Sequence, residues 1–447
     1  MSLIKAINKK ETTFASPPSY IQLSIKVENR AAIKDLEDYF RKSAACLHLR
    51  LKDSNHLEYR DEIKKFEIPS SITDLQEVGR FVGMNFTPPY DVAFGSIAVN
   101  EDNNIICLNA NHRLCDGGFF KFLMKNYTFN TPPKELPHFP RFTSDQYAEQ
   151  ISKAPEILSY LNDPNMTRIK EIKPVKSIKL AETNIFSKEF KRIYHPDGKN
   201  YNFTGNIIED EKTGQKRYLD EAEIIIPAKL YKSYDAKKNA PEHLTEYLWL
   251  SQYFAASAYE GKPFKNLKIR TVNDLRRYLD HPDFLDCYHC AVTAPACPSV
   301  SPDDKLSKVA STLRDDLLRL RKNEAHYSIL KAQTDPANLI PGIDLGITGV
   351  GAIRIRRPIV DVHCSFLANA TQVGNYSRYI GSLFLMSFSG FNPDSPRNDI
   401  TSKIMYNPNI LSKKDADTYM RRIGYVLTHA SLDQTIGEVF DEVVKVD

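Results

Sequence analysis

Residues 91 to 127 constrain the fold more than any other stretch of this sequence. Asp91 to Val99 reads as a strand, Glu101-Asp102-Asn103-Asn104 as a turn, and Ile105 to Asn111 as the returning strand of a hairpin. In that second strand Ile106, Leu108, Ala110 and His112 share one face by the period of two, so a histidine ends a buried apolar row. The run Asn111-His112-Arg113-Leu114-Cys115-Asp116-Gly117-Gly118 follows, and its two glycines predict a sharp turn just after the histidine. Phe119, Phe120, Leu123, Met124 and Tyr127 then fall at helical spacing, which predicts a helix over 119–127. Histidine titrates near neutral pH and is the commonest general base, so His112 is the first candidate for chemistry.

Elsewhere the patterns alternate between strand and helix. Tyr20 to Val27 reads as a strand, Ala31 to Ala45 as a helix and Leu47 to Leu51 as a strand. From Asn130 to about Asp220, Pro132, Pro133, Pro137 and Pro140 break structure, and Ile169 to Arg192 is dense in lysine. The second half opens with a strand at Glu221 to Ile226. A helix is expected from about Pro241, as its first-turn residue, to Glu260. A strand carrying Arg276 comes next, then an amphipathic helix over Asp303 to Glu324 with Leu306, Val309, Leu313, Leu317 and Leu320 as its stripe. Ile343 to Ile355 and Ser382 to Phe388 read as strands. Such alternation in both halves suggests two α/β sandwiches sharing a cleft. The expected division is 1–180, a crossover at 181–220, and 221–447.

The strand, His-x-x-x-Asp-Gly, helix arrangement resembles the acyltransferase superfamily that includes chloramphenicol acetyltransferase, peptide-synthetase condensation domains, and the plant and fungal CoA-dependent acyltransferases. Further matches extend it over most of the chain. Lys268-Ile269-Arg270-Thr271-Val272-Asn273-Asp274-Leu275-Arg276-Arg277-Tyr278-Leu279 is similar to the family's second-half strand, and Ser387 to Asn407 with Leu411 to Leu427 to its closing strand pair and last helix. The resemblance implies two chloramphenicol acetyltransferase-like α/β sandwich domains with the active site in a channel between them. The sequence departs from the family in two places. Asn111 stands where many members have a first histidine, and the plant branch's closing Asp-Phe-Gly-Trp-Gly is absent, with Asp344-Leu345-Gly346 its only distant echo. This points toward the condensation-like or fungal alcohol-acyltransferase side.

The implied reaction moves an acyl group from acyl-CoA to an alcohol or amine, with His112 as general base and no covalent enzyme intermediate. Asp116 either orients His112, as in a hydrolase triad, or serves structure by pairing with the second-half arginine, which the family favours. That arginine is Arg276, with Arg277 its rival by one register step. Gly117 supports the turn, and Thr348 is a candidate oxyanion donor. Arg354, Arg356 and Arg357 are candidates for the phosphates of coenzyme A, since arginine suits phosphate geometry. Coenzyme A thioester enters as co-substrate and no bound cofactor is expected. Two alternatives stay open: a free-standing condensation-type enzyme using carrier-protein thioesters, and a non-catalytic binding descendant of the fold.

Composition narrows the classes. Sixty basic against 56 acidic residues leave +4, too little to imply nucleic-acid binding. Nowhere do about 18 apolar residues run together, as a spanning helix needs, and Met1 to Lys10 holds no signal-peptide core. Seven cysteines, an odd number, suggest reduced thiols and a cytoplasmic protein. Cys287, His289, Cys290 and Cys297, with His363 and Cys364 in reserve, do not make two spaced ligand pairs, so no metal site is expected. A monomer acting on small molecules is the expected state.

Overall fold

The computed structural model describes residues 4–6, 19–53, 56–112, 114–131, 139, 147–154, 168–169, 219–278, 290–332, 343–368, 382–392, 398–406, 408 and 411–447. It is an α/β structure built on two principal sheets. The first has five strands in the order Ile359–Ala368, Ser19–Val27, Ile105–Asn111, Gly95–Asn100 and Lys65–Glu67, antiparallel except for the last pair. Its middle strand is buried on both faces, and its alternation divides them. Ile106, Leu108 and Ala110 pack with the helices Arg30–Ser43 and Gly117–Thr128, while Ile105 and Cys107 pack with the helix Leu75–Asn85.

The second sheet runs Cys290–Thr293, Arg270–Asp274, Ile343–Arg354, Ser382–Phe391, Asp399–Tyr406 and Asp220–Pro227, with Arg168–Ile169 off its path. One face carries the helices Leu244–Glu260, Leu306–Lys322, Lys413–His429 and Ile436–Val443 over a core that includes Leu345, Ile347, Leu383 and Leu385. The strand Ile343–Arg354 shifts register between Gly349 and Gly351, a bulge in which Gly351 takes φ 81°. One extra residue turns every later side chain over. Leu345 and Ile347 therefore face the second core, whereas Ile353 and Ile355 belong to the first.

The long strands thus lead out of the second half into the first. Ile359–Ala368 goes further and becomes an edge strand of the first sheet, antiparallel to Ser19–Val27. The segment 221–447 therefore contributes a strand to the N-terminal half. Residues 181–218 of the expected crossover and the lysine-dense stretch 170–192 lie outside the described residues. Several boundaries differ from expectation. Pro241 does not open a helix: it sits in the two-residue strand Ala240–Pro241, and the helix begins at Leu244 after His243 at φ 50°. Arg276 is not in its strand but in the single helical turn Leu275–Tyr278 beyond it. The first hairpin strand starts at Gly95, not Asp91, and a short helix, Ile436–Val443, follows the expected last one. Among the described residues no helix is long and apolar enough to cross a membrane.

Candidate active site

His112 is held at the end of the central strand, its backbone N–H donating to the Ser19 carbonyl at 2.8 Å. The chain then reverses over 111–115, where the N–H groups of Leu114 and Cys115 both reach the Asn111 carbonyl. That reversal brings the Cys115 carbonyl to 2.8 Å from His112 Nδ1. A carbonyl only accepts, so Nδ1 carries the proton, and when the ring is neutral its basic nitrogen is Nε2. A backbone carbonyl thus orients the ring where a hydrolase-type triad uses a carboxylate. Phe366 meets the ring edge to face, with centroids 5.3 Å apart.

Asp116 caps the following helix, accepting from Phe119 N–H at 2.8 Å. Arg276 grips the same carboxylate with both terminal nitrogens, Nη2 to Oδ1 at 2.8 Å and Nη1 to Oδ2 at 3.1 Å. Such a two-point pair fixes orientation in a way lysine cannot. Both residues are buried, Asp116 at 0% and Arg276 at 1% exposure. Burial alone would lower the Arg276 pKa, but the Asp116 charge and hydrogen bonds outweigh it and raise the value, so the guanidinium stays charged. Arg277 cannot be compared, because its side chain lies outside the described residues. The thiol of Cys290 donates to Asp116 Oδ2 at 3.2 Å. Burial first, and then the Asp116 charge, push that thiol well above its ordinary pKa, which keeps it a donor. Cys290 went unread as a site residue; only its antiparallel pairing with Asp274 brings it there.

The two glycines do not make the turn that the sequence suggests, since neither takes a positive φ. They permit close approach instead. A Cβ on Gly117 would lie 2.7 Å from Val350 Cγ2, and one on Gly118 would overlap the Arg276 guanidinium. The second half therefore presses directly onto the first turn of this helix. Thr348 is half-buried and shares its strand face with Gly346, the face turned away from the second core. Arg354 and Arg356 lie over the exposed Phe129 ring at 6.0 and 5.2 Å. Arg357, 87% exposed, pairs with Glu28. Thr128 at the far end of the helix bonds the Arg354 carbonyl. Arg354 and Arg356 thus stand at the far end of a helix that runs about 18 Å along its axis from the Asp116 cap, at 1.5 Å per residue.

Cys287 and His289 lie outside the described residues. Cys290 is engaged by Asp116, and His363 Nε2 lies 3.0 Å from Glu223 Oε2. Among the described residues no group of three or more His, Cys, Asp or Glu side chains is placed to hold a metal ion.

No family model matches the chain, and no curated protein matches it in sequence. Solved structures do match its fold. Polyketide synthase associated protein 5 from Mycobacterium tuberculosis aligns at TM-score 0.58 and 11% identity, covering 94% of this chain and 96% of that one. The starter condensation domain of rhizomide synthetase RzmA, a mutant in complex with C8-CoA and Leu-SNAC, aligns at 0.56 and 9%, covering 96% and 94%. The X-domain from teicoplanin biosynthesis, in complex with OxyB, aligns at 0.52 and 10%, covering 96% and 94%. The chain therefore has the two-lobed condensation-domain fold over nearly its whole length.

Proposed function

We propose that this protein transfers an acyl group from a thioester to an alcohol or amine, with His112 as general base and acyl-CoA as donor. The observation that carries the reading is the His112 Nδ1–H bond to the Cys115 carbonyl, which makes Nε2 the basic nitrogen of a neutral ring, with that ring against Phe366 from the second half. The acceptor gives its proton to Nε2 as its oxygen or nitrogen attacks the thioester carbon. The tetrahedral intermediate then expels the thiolate, which takes the proton back from the imidazolium. Base assistance of this kind contributes about 10²–10⁴-fold, with positioning and oxyanion stabilisation supplying the rest. Thr348 is the nearest assignment for the oxyanion donor. Asp116 and Arg276 act through geometry, locking the turn that aims the ring.

A basic strip along the motif helix supports a coenzyme A donor. Lys121 and Lys125 are exposed on the motif helix, and Arg354 and Arg356 flank its far end. One structural neighbour carries C8-CoA, which supports a thioester ligand in this fold. Another is bound to OxyB, which favours as second reading a module that takes a protein partner, a carrier protein included. Thiol release from acyl-CoAs with pooled cell metabolites as acceptors tests the choice. The CoA reading expects release, with acyl-CoA affinity falling steeply as salt rises, because exposed charges are screened over about 8–10 Å. Turnover of carrier-bound acyl groups with no acyl-CoA binding gives the donor to a carrier protein. No turnover with either donor leaves the binding module.

A further inference from the structure

We infer that the hydrocarbon part of one substrate lies against Phe366 and Phe384 beside His112, so that the protein selects apolar chains by length. The inference rests on the acyl-transfer reading and adds the substrate class. The second sheet has one face under its helices and one turned to the first half. Register places Gly346, Phe384, Met405 and Glu221 side by side on that second face, with Thr348, Met386, Lys403 and Glu223 in the next row. Much of this face is sealed. Met386 and Phe388 belong to the first core, and Lys403 pairs with Glu221 at 3.0 Å with almost no exposure.

The row of Gly346 and Phe384 differs. Phe366 and Phe384 are only partly buried, and both rest on the small Leu219–Met405 cluster, Phe366 packing against the first core as well. Phe366 is also the ring 5.3 Å from His112. A bond reacting at Nε2 therefore holds its substituents within reach of this surface, whose four side chains are hydrocarbon or thioether. The neighbouring carboxylate offers no competing polar contact, because Glu221 accepts from Lys403 on one oxygen and from Phe366 N–H on the other. Gly346 sets the room available. A Cβ there would come within 2.7–2.9 Å of the Phe384 ring carbons, so the ring reclines over a residue without a side chain.

The chain can belong to the acyl group or to the acceptor, and two series separate them. One runs acyl-CoAs from acetyl to lauroyl with a fixed acceptor. The other runs straight-chain alcohols and amines from ethyl to decyl with acetyl-CoA. Thermal stabilisation and thiol release are both read. In one series the wild-type response should climb by about fourfold per buried methylene, the equivalent of ~0.8 kcal/mol, up to a cutoff. Phe384→Ala should move the cutoff to longer chains, and Gly346→Ala, which pushes the ring outward, to shorter ones. A purely structural role would lower all lengths in parallel. Parallel profiles in both variants, or length-independent responses in both series, overturn the inference. Absence of thiol release from wild type counts against acyl transfer, while length-dependent stabilisation still decides the apolar subsite.

Discussion

The donors that Asp116 receives include the Phe119 N–H, two guanidinium nitrogens and the Cys290 thiol. Removing one partner of a buried pair costs on the order of 3–5 kcal/mol, because the other charge stays behind without compensation. Asp116→Asn and Arg276→Ala should therefore each lower stability by a few kcal/mol and reduce activity with it. Their double mutant should lose less than the sum, with a coupling of roughly 0.5–3 kcal/mol from urea unfolding. Strict additivity would contradict the pairing. The direction of His112 was legible in the sequence, since a period of two fixes which way each strand residue points. The Arg276 geometry was only half legible, because the strand ends at Asp274 and a single helical turn decides which arginine swings inward. Nothing local announces Cys290.

The motif helix shows how an element can run against its own propensity. Two glycines in a first turn weaken a helix, and replacing one by alanine should gain up to about 1 kcal/mol on propensity alone. Here the sign reverses. Gly118→Ala drives a methyl group into the Arg276 guanidinium, so the urea midpoint should fall by the equivalent of about 2 kcal/mol or more. A rise in the midpoint would show that the two halves do not press together at this point. The hairpin, the helix Leu306–Lys322 and the closing strands were readable because apolar residues recur there at one clear period. Two of the elements that escaped show why. Leu75–Asn85 carries Gly79 and Gly83, which blur its helical pattern, and Gly83 exists because Gln22 and Leu367 crowd it. Ile359–Ala368 puts His363 and Ser365 on a buried face, where Glu223 from the other half bonds His363, so its polarity reads locally as loop.

At the scale of the molecule, the halves are joined rather than merely touching. Ile359–Ala368 leaves the second half to complete the first sheet, and Glu221 holds both Lys403 and the Phe366 backbone. A chain of this size would ordinarily unfold in more than one step. Shared strands predict a single cooperative transition in scanning calorimetry, and two resolved transitions would count against this coupling. Beside this junction His112 stands with Nδ1 bonded to the Cys115 carbonyl and its ring against Phe366. His112→Ala tests its role as general base most directly. The side chain is half-buried, and losing its bond to Cys115 costs about 0.5–1.5 kcal/mol, so the thermal midpoint should shift by no more than a few degrees. Thiol release by the purified, folded variant should fall by two orders of magnitude or more, the size of a general-base contribution. Near-normal turnover in that variant would contradict the account.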